Sequence, residues 1–266
     1  MRAILSTLVR RLDDLALQAS GVIPWSCPIP VFGNIATSSI ATLGINPSNR
    51  EFVGARGQEL EGSARRFQTL RSLGLQTWSA AEEGDLDRIE ADCKLYFSRN
   101  PYDQWFRRLD ALLTGLSASY YGVAANACHL DLIPYATTLK WTALGEPQKA
   151  RLTKASGDSL AQLLIESRIE LLILNGRSVV DGFEEVGHVR LTSRPMPGWT
   201  LPRKGGHGVA GIGFSGTIKE FAGVPLGRAL VVLGFNHNLQ SSFGVTGTAV
   251  GRIRDWIATS ARGVAA

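Results

Sequence analysis

The sequence predicts an α/β fold, a three-layer sandwich in which helices flank a central, mostly parallel sheet of four strands. Four short apolar runs, at residues 40–43, 125–133, 171–174 and 230–234, have the composition of buried strands. Segments with helical spacing of apolar residues separate most of these runs. Because strands that alternate with helices pair in parallel, the pattern favours a parallel sheet covered by helices.

Helices are predicted on both sides of the first strand. Leucines recur at helical spacing over residues 3–18, which predicts an amphipathic helix packed against the sheet. A proline-rich loop at residues 21–34 leads into the strand, and residues 57–73 and 84–98 are predicted helices. Pro101 is expected to open the next helix, which has a buried stripe of Trp and Leu.

The second half of the chain continues the alternation and then breaks it. One helix is predicted to end near Arg168, and another begins after the turn at Asn175 and Gly176. Residues 188–227 contain four prolines, many glycines and a basic patch around Trp199, which predicts an irregular or hairpin-like excursion that supplies phosphate contacts. The basic patch consists of Arg190, Arg194, Arg203 and Lys204.

Composition bounds the number of domains and the class of partner. A chain of 266 residues with 44% hydrophobic residues can bury one sizeable core, and no linker divides it, so a single domain over residues 1–266 is expected. The formal net charge is +5 and the pI is about 9.3. This charge favours a polyanionic partner such as DNA without requiring one.

The cysteines indicate no metal or cofactor. Cys27, Cys93 and Cys128 are far apart, and no pair has the C-x-x-C spacing of a zinc or thiol-redox site. An iron–sulfur cluster needs about four cysteine ligands. Charged residues interrupt any signal-peptide core, and no apolar run reaches the roughly 18 residues of a membrane span. We therefore expect a cytoplasmic, bacterial-type monomer without a membrane partner.

The first candidate site is the polar turn after the first predicted strand. The strand runs to Gly44 and is followed by Ile45, Asn46, Pro47 and Ser48. In open α/β sheets, ligands bind beyond the carboxyl ends of the strands, so this turn is well placed to present Asn46. The alternative is an ordinary Asn-Pro turn, because Pro47 fixes its own φ and biases the preceding residue towards extended geometry.

A second junction between a strand and a polar turn, residues 230–242, contains His237. Together the two junctions resemble the uracil-DNA glycosylase superfamily, whose first motif has the form G-x-x-P-x (G-I-N-P-G in the mismatch-specific branch). The second motif of that superfamily is built around His-Pro-Ser or Asn-Pro-Ser. Here G-I-N-P-S at residues 44–48 matches the first motif closely, whereas the second keeps His237 but lacks the following Pro and Ser. Residues 50–58 also resemble the R-P-F-V-G-x-A-G segment of the iron–sulfur branch, whose Phe stacks on the extruded base.

The resemblance assigns roles to individual residues. Asn46 would orient the attacking water, and His237 would donate a hydrogen bond to the 2-oxygen of the leaving pyrimidine. Phe52 would form the aromatic wall of a base pocket that also includes Ile45, and Asp131 stands where the family has the Asn that reads the uracil edge. The residues expected to contact DNA are Ser48, Arg203, Lys204, Asn238, Leu239, Gln240 and Ser241.

Two of these assignments have alternatives. Leu239 is the candidate wedge that fills the gap in the duplex, with Gln240 or Phe243 as the alternatives. His237 can instead be a capping residue at a turn before the helix expected near Thr248.

Two departures from the family pattern affect specificity. Ser48 replaces the Tyr of the thymine-excluding G-Q-D-P-Y branch, so rejection of a 5-methyl group is not implied. Asp131 replaces the Asn, and an ionised carboxylate only accepts hydrogen bonds. Three arrangements are possible: burial keeps Asp131 protonated, Asp131 contacts only the N3–H of uracil while a backbone amide serves the 4-oxygen, or Asp131 is turned away from the pocket. We favour the second.

The sequence thus predicts a monofunctional DNA glycosylase that hydrolyses the N-glycosidic bond of uracil in single- or double-stranded DNA. The nearest alternative is a glycosylase of the same fold for another deaminated base, such as hypoxanthine or xanthine. The degraded second motif also fits a DNA-binding module that recognises damage without cutting it. A hydrolase or sensor of free nucleotides is a further alternative, and it needs neither a wedge nor a phosphate track.

Overall fold

The computed structural model describes residues 1–99, 103–122, 125–203, 206–240 and 242–262, in which helical segments separate most of the strands as far as residue 187 and five strands then follow one another. The helices are α1 (Arg2–Arg11), α2 (Leu15–Gln18), α3 (Leu70–Leu73), α4 (Glu83–Lys94), α5 (Tyr96–Arg99), α6 (Asp103–Leu113), α7 (Glu146–Glu166), α8 (Arg177–Gly187) and α9 (Gly247–Arg262). The strands are β1 (Val31–Phe32), β2 (Ile40–Gly44), β3 (Ala127–Asp131), β4 (Leu171–Asn175), β5 (Thr192–Pro195), β6 (Leu201–Arg203), β7 (Gly206–Val209), β8 (Ile212–Phe221) and β9 (Val224–Phe235). The predicted helix start at Pro101 lies outside the described residues.

A seven-stranded sheet has the order β1-β3-β2-β4-β9-β8-β5, and β6 and β7 form a separate two-stranded sheet. Strand β4 pairs in parallel with both β2 and β9, whereas β8 pairs antiparallel with β9 and with β5. The predicted α/β class with a mostly parallel sheet is confirmed. The prediction of four strands is wrong, and the three-layer arrangement stays a prediction.

The additional strands lack the apolar pattern that identifies buried strands. Strand β1 has only two residues, and all four residues of β5 are exposed. Strand β8 and the start of β9 form a hairpin closed by Ala222 and Gly223, both with positive φ. Because the outer part of this hairpin is largely exposed, its sequence lacks the continuous apolar run that identifies a buried strand.

Two predicted helices are shorter in the structure than their predicted ranges. The helix predicted over residues 3–18 breaks after α1, and Asp14 caps α2 by accepting from the Ala16 backbone N–H at 2.8 Å. In place of a helix over residues 57–73, only α3 and a short 3-10 turn form. Gly57 and Gly62 have positive φ there, a conformation that a helix does not contain.

The chain divides into two compact units, each built from separate segments. The first comprises Met1–Asn34, Ile45–Pro101 and Leu130–Glu166, and the second comprises Ile35–Gly44, Tyr102–His129 and Ser167–Ala266. The single domain predicted over residues 1–266 stays a prediction. None of the helices in the described ranges is long and apolar enough to cross a lipid bilayer.

The second unit contains the strands whose ends matter for the predicted site. Because β2, β4 and β9 are parallel, their carboxyl ends lie at the same edge of the sheet. Helix α8 packs on β4, β8 and β9, and Gly234 permits this close approach, since a Cβ there would lie 3.0 Å from a Val180 methyl carbon. The first candidate motif follows β2 directly in the chain, and the second follows β9.

Candidate functional site

In the first unit, three acceptors hold the side-chain amide of Asn46. Its Nδ2 donates to the hydroxyl of Thr137 at 3.0 Å, to the carbonyl oxygen of Pro47 at 3.2 Å and to that of Tyr135 at 3.4 Å. The Thr137 hydroxyl donates its own proton to the Leu139 carbonyl oxygen at 2.7 Å, so it accepts from Asn46. The orientation of the amide is therefore fixed, and its Oδ1 is left to accept a hydrogen bond from a ligand or a water.

The neighbours of Asn46 differ in exposure. Ile45 is half-buried, and its carbonyl oxygen accepts from the Ile133 N–H at 2.9 Å. Ser48 is exposed and caps a 3-10 turn by accepting from the Arg50 N–H at 3.2 Å. A DNA strand can reach Ser48 in this conformation.

Phe52, the predicted wall of the base pocket, is only 1% exposed. Its ring centroid lies 6.2 Å from that of Trp25 and 5.9 Å from that of Phe67. The ring belongs to an aromatic core in this conformation, so a base can stack on it only after a neighbouring side chain moves.

A buried carboxylate next to Phe52 was missed by sequence reasoning. Glu51 accepts a hydrogen bond from the Tyr96 hydroxyl at 2.9 Å, and its second oxygen lies 3.6 Å from an Arg66 nitrogen. Burial raises the pKa of Glu51 to about 7, against the opposing effects of Arg66 and Tyr96, and the negative charge of Asp131 adds to the rise. The Ser-x-x-Glu spacing at residues 48–51 is typical of a capping box at the start of a helix, where the Glu side chain is exposed. The sequence therefore gives no sign that Glu51 is buried.

Glu51 makes the stability of the protein depend on pH. Its pKa is about 7 in the folded state against an ordinary 4.5, so the folded state holds this proton more tightly. We expect the free energy of unfolding to fall as pH rises from 4.5 to about 7, by at most about 3 kcal/mol from this group. Glu51→Gln, which keeps an acceptor for Tyr96, should remove that part of the slope in urea unfolding at several pH values. A slope equal to that of the parent protein would contradict the assignment.

Asp131, the predicted reader of the uracil edge, ends β3 and is 5% exposed. Its effect on the pKa of Glu51 places its negative charge within electrostatic reach of that carboxyl. A buried charge of this kind is retained in proteins when partners stabilise it.

In the second unit, His237 follows β9 and is buried. Its Nε2 lies 2.9 Å from the carbonyl oxygen of Trp199, and since a carbonyl only accepts, Nε2 carries the proton. Burial lowers the pKa of His237, the bond to Trp199 opposes this, and the positive charge of Arg203 lowers it further. His237 is therefore a neutral imidazole near pH 7, in the tautomer that the predicted role requires, with its donor occupied by Trp199.

The turn after His237 is held by Asn175 at the end of β4. The Asn175 Oδ1 accepts from the Leu239 N–H at 3.2 Å, and its Nδ2 donates to the Gln240 Oε1 at 2.8 Å. Asn238 accepts from the Gln240 N–H at 3.0 Å and donates to the Asn175 carbonyl oxygen at 3.4 Å. From the sequence, Asn175 is identified only as a turn residue. Its position, as a polar residue at the end of a buried strand, was the available signal of a role in the site.

The structure separates the wedge candidates. Leu239 is fully buried, and Gln240 is held by Asn175 and by the Trp105 carbonyl oxygen at 3.1 Å, so neither is available to enter a duplex in this conformation. Phe243 is 79% exposed. The guanidinium of Arg203 lies 5.2 Å from the centroid of its ring and donates to its carbonyl oxygen at 2.8 Å.

Arg203 is thus positioned beside the exposed aromatic ring, as a phosphate-binding residue near a wedge would be. The predicted DNA contacts Lys204 and Ser241 lie outside the described residues. Within the described ranges, no group of three or more His, Cys, Asp and Glu side chains is arranged to hold a metal ion.

No protein-family model matches this chain, and no curated protein matches it.

Proposed function

We propose that this protein is a monofunctional DNA glycosylase that hydrolyses the N-glycosidic bond of uracil in DNA. The observation that carries the proposal is the fixed amide of Asn46, two residues beyond the end of β2. Its Nδ2 is anchored by three acceptors, and its Oδ1 is left to accept from a water. Hydrolysis of a glycosidic bond requires such a positioned water and a donor to the leaving base.

Features of the second unit support a DNA substrate. His237 is neutral, with its proton on Nε2, so its donor is of the type that stabilises an anionic leaving pyrimidine. Phe243 is an exposed aromatic side chain next to Arg203, a pairing that suits insertion beside a phosphate backbone. The excess of basic residues agrees with a polyanionic partner.

A second candidate function is damage recognition without cleavage. The observation that favours it is the hydrogen bond from His237 to Trp199, which occupies the donor that catalysis needs. A protein that kept this bond when DNA was bound would hold a damaged base without releasing it.

The two functions are separated by incubating the protein with oligonucleotides that carry uracil, hypoxanthine or xanthine, in single- and double-stranded form, followed by alkaline cleavage. The proposal predicts strand scission at uracil. Cleavage only at hypoxanthine or xanthine would assign another deaminated base, and tight binding without scission at any lesion would favour the recognition module.

Phe243 provides a prediction about strand preference. A wedge fills the space left by an extruded base, and this space exists only in a duplex. We expect Phe243→Ala to lower excision from double-stranded DNA about tenfold or more, because extruding the base costs a few kcal/mol, while excision from single strands stays within about twofold. Single-turnover rates on both substrates test this, with Leu95→Ala as the control, since Leu95 is also an exposed large apolar residue. An equal loss on both substrates would assign Phe243 a role other than a wedge.

A further inference from the structure

A surface groove of about 440 Å³ lies in the second unit, between one side of α9 and the segment formed by the end of β5 and the residues after it. Its lining includes Arg194, Met196, Trp199, Arg252 and Asp255. No role in base recognition or catalysis has been assigned to this groove, and it combines charged with apolar walls.

The groove presents net positive charge. Arg194 is exposed, and its side chain makes neither a hydrogen bond nor an ion pair within the described part of the chain. Arg252 is also exposed and donates from Nη1 to the Gly198 carbonyl oxygen at 2.7 Å. The carboxylate of Asp255 is neutralised by Arg254 at 2.8 Å. Guanidinium groups present several donors in a planar fork that suits phosphate oxygens, so the chemistry of the groove matches a phosphate of a nucleic-acid strand.

The floor of the groove is connected to His237. The carbonyl oxygen that accepts from His237 belongs to Trp199, and the neighbouring carbonyl, of Gly198, is the one to which Arg252 donates. The turn is packed closely, since a Cβ on Gly211 would lie 2.4 Å from the Cβ of Trp199. A change in the hydrogen bond of Arg252 therefore acts on the peptide next to the one that holds His237.

We infer that this groove binds a backbone phosphate of DNA between Arg194 and Arg252, and that binding withdraws the Trp199 carbonyl from His237. The phosphate draws the Arg252 guanidinium away from Gly198, the turn relaxes, and the Nε2–H of His237 becomes free to donate. The inference rests on the proposed function in taking DNA as the ligand and His237 as the donor. It adds a phosphate site and a reason why the donor is occupied in the free protein.

Binding is tested with an undamaged oligonucleotide, so that no base is released. Fluorescence anisotropy at several salt concentrations gives the affinity and its salt dependence. We expect Arg194→Ala and Arg252→Ala each to weaken binding roughly fivefold or more and to reduce the slope of log affinity against log salt by about one. Arg168→Ala is the matched control, because Arg168 is an exposed arginine that precedes the amino end of β4 in the same unit. Equal weakening in the control would overturn the phosphate site, and equally tight binding of inorganic phosphate alone would overturn a DNA strand as its ligand.

The link to His237 is tested by the 15N and N–H resonances of its imidazole, assigned by comparison with His237→Gln. Saturating undamaged DNA should shift the Nε2–H resonance of the parent protein. In Arg252→Ala, which lacks the bond to Gly198, the resonance should already lie at the shifted position and DNA should not move it further. An unchanged resonance in the parent at saturation would overturn the release of the donor. Neither experiment requires base excision, so a failure here and a failure of the proposed function are separately visible.

Discussion

Asn46→Ala is expected to lower the single-turnover rate of uracil release by about 100-fold or more while the protein stays folded. The physical reason is loss of the oriented Oδ1 that positions the attacking water. The half-buried amide of Asn46 donates three hydrogen bonds in the free protein, so thermal unfolding of the variant is measured to check that it stays folded.

Two further variants make this result specific. Asn49→Ala is the matched control, because Asn49 lies three residues away and donates its amide to the Thr138 carbonyl oxygen at 3.3 Å. Thr137→Val removes an acceptor that orients Asn46 and should cause an intermediate loss. A rate near that of the parent protein for Asn46→Ala would remove its catalytic role.

His237→Ala should produce a loss of similar size, about 100-fold, because the leaving base then lacks its donor. His237→Gln keeps a neutral donor and is expected to recover part of the rate. Should both variants react like the parent, His237 would be a structural residue of the turn, as the capping alternative holds.

Substitutions at Asp131 are expected to have a smaller effect than those at Asn46 and His237. We expect Asp131→Asn to retain or improve uracil excision, since an amide can both accept from N3–H and donate to the 4-oxygen. Asp131→Ala should lose at least about tenfold, because the N3–H of a buried base is left unpaired. Rates for both variants are compared in single turnover, with thermal unfolding as the check on folding.

The pair of substitutions at Asp131 also controls for its charge. Both remove the negative charge that contributes to the raised pKa of Glu51, so an effect transmitted through Glu51 would appear equally in both. A difference between Asn and Ala therefore reports on contact with the base. An Asp131→Ala rate equal to that of the parent protein would show that this carboxylate does not read the base.

The parts of the fold that could be predicted from sequence are those whose pattern is local. Strand β4 and the core of β9 are continuous apolar runs, and β2 ends in a Gly followed by a polar turn, so the turn carrying Asn46 could be located. Strand β5 and the β8–β9 hairpin could not, because their exposed residues carry no signal of burial.

The parts of the site that could not be predicted depend on partners distant in sequence. The acceptor for His237 lies 38 residues earlier, and the partner of Glu51, Tyr96, lies 45 residues later. Leu239 is the candidate wedge by sequence, yet its backbone N–H donates to Asn175 and its side chain is buried. Contacts between residues so far apart in the chain produce no recognisable pattern in the sequence.

The proposed activity is measured most directly by incubating a uracil-containing oligonucleotide with a stoichiometric amount of protein. The free uracil that is released is determined by chromatography, and the abasic sites are counted in the same sample. We expect one free uracil for each abasic site with the parent protein and almost none with Asn46→Ala over the same period. Binding of the oligonucleotide without release of free uracil would contradict the proposed activity.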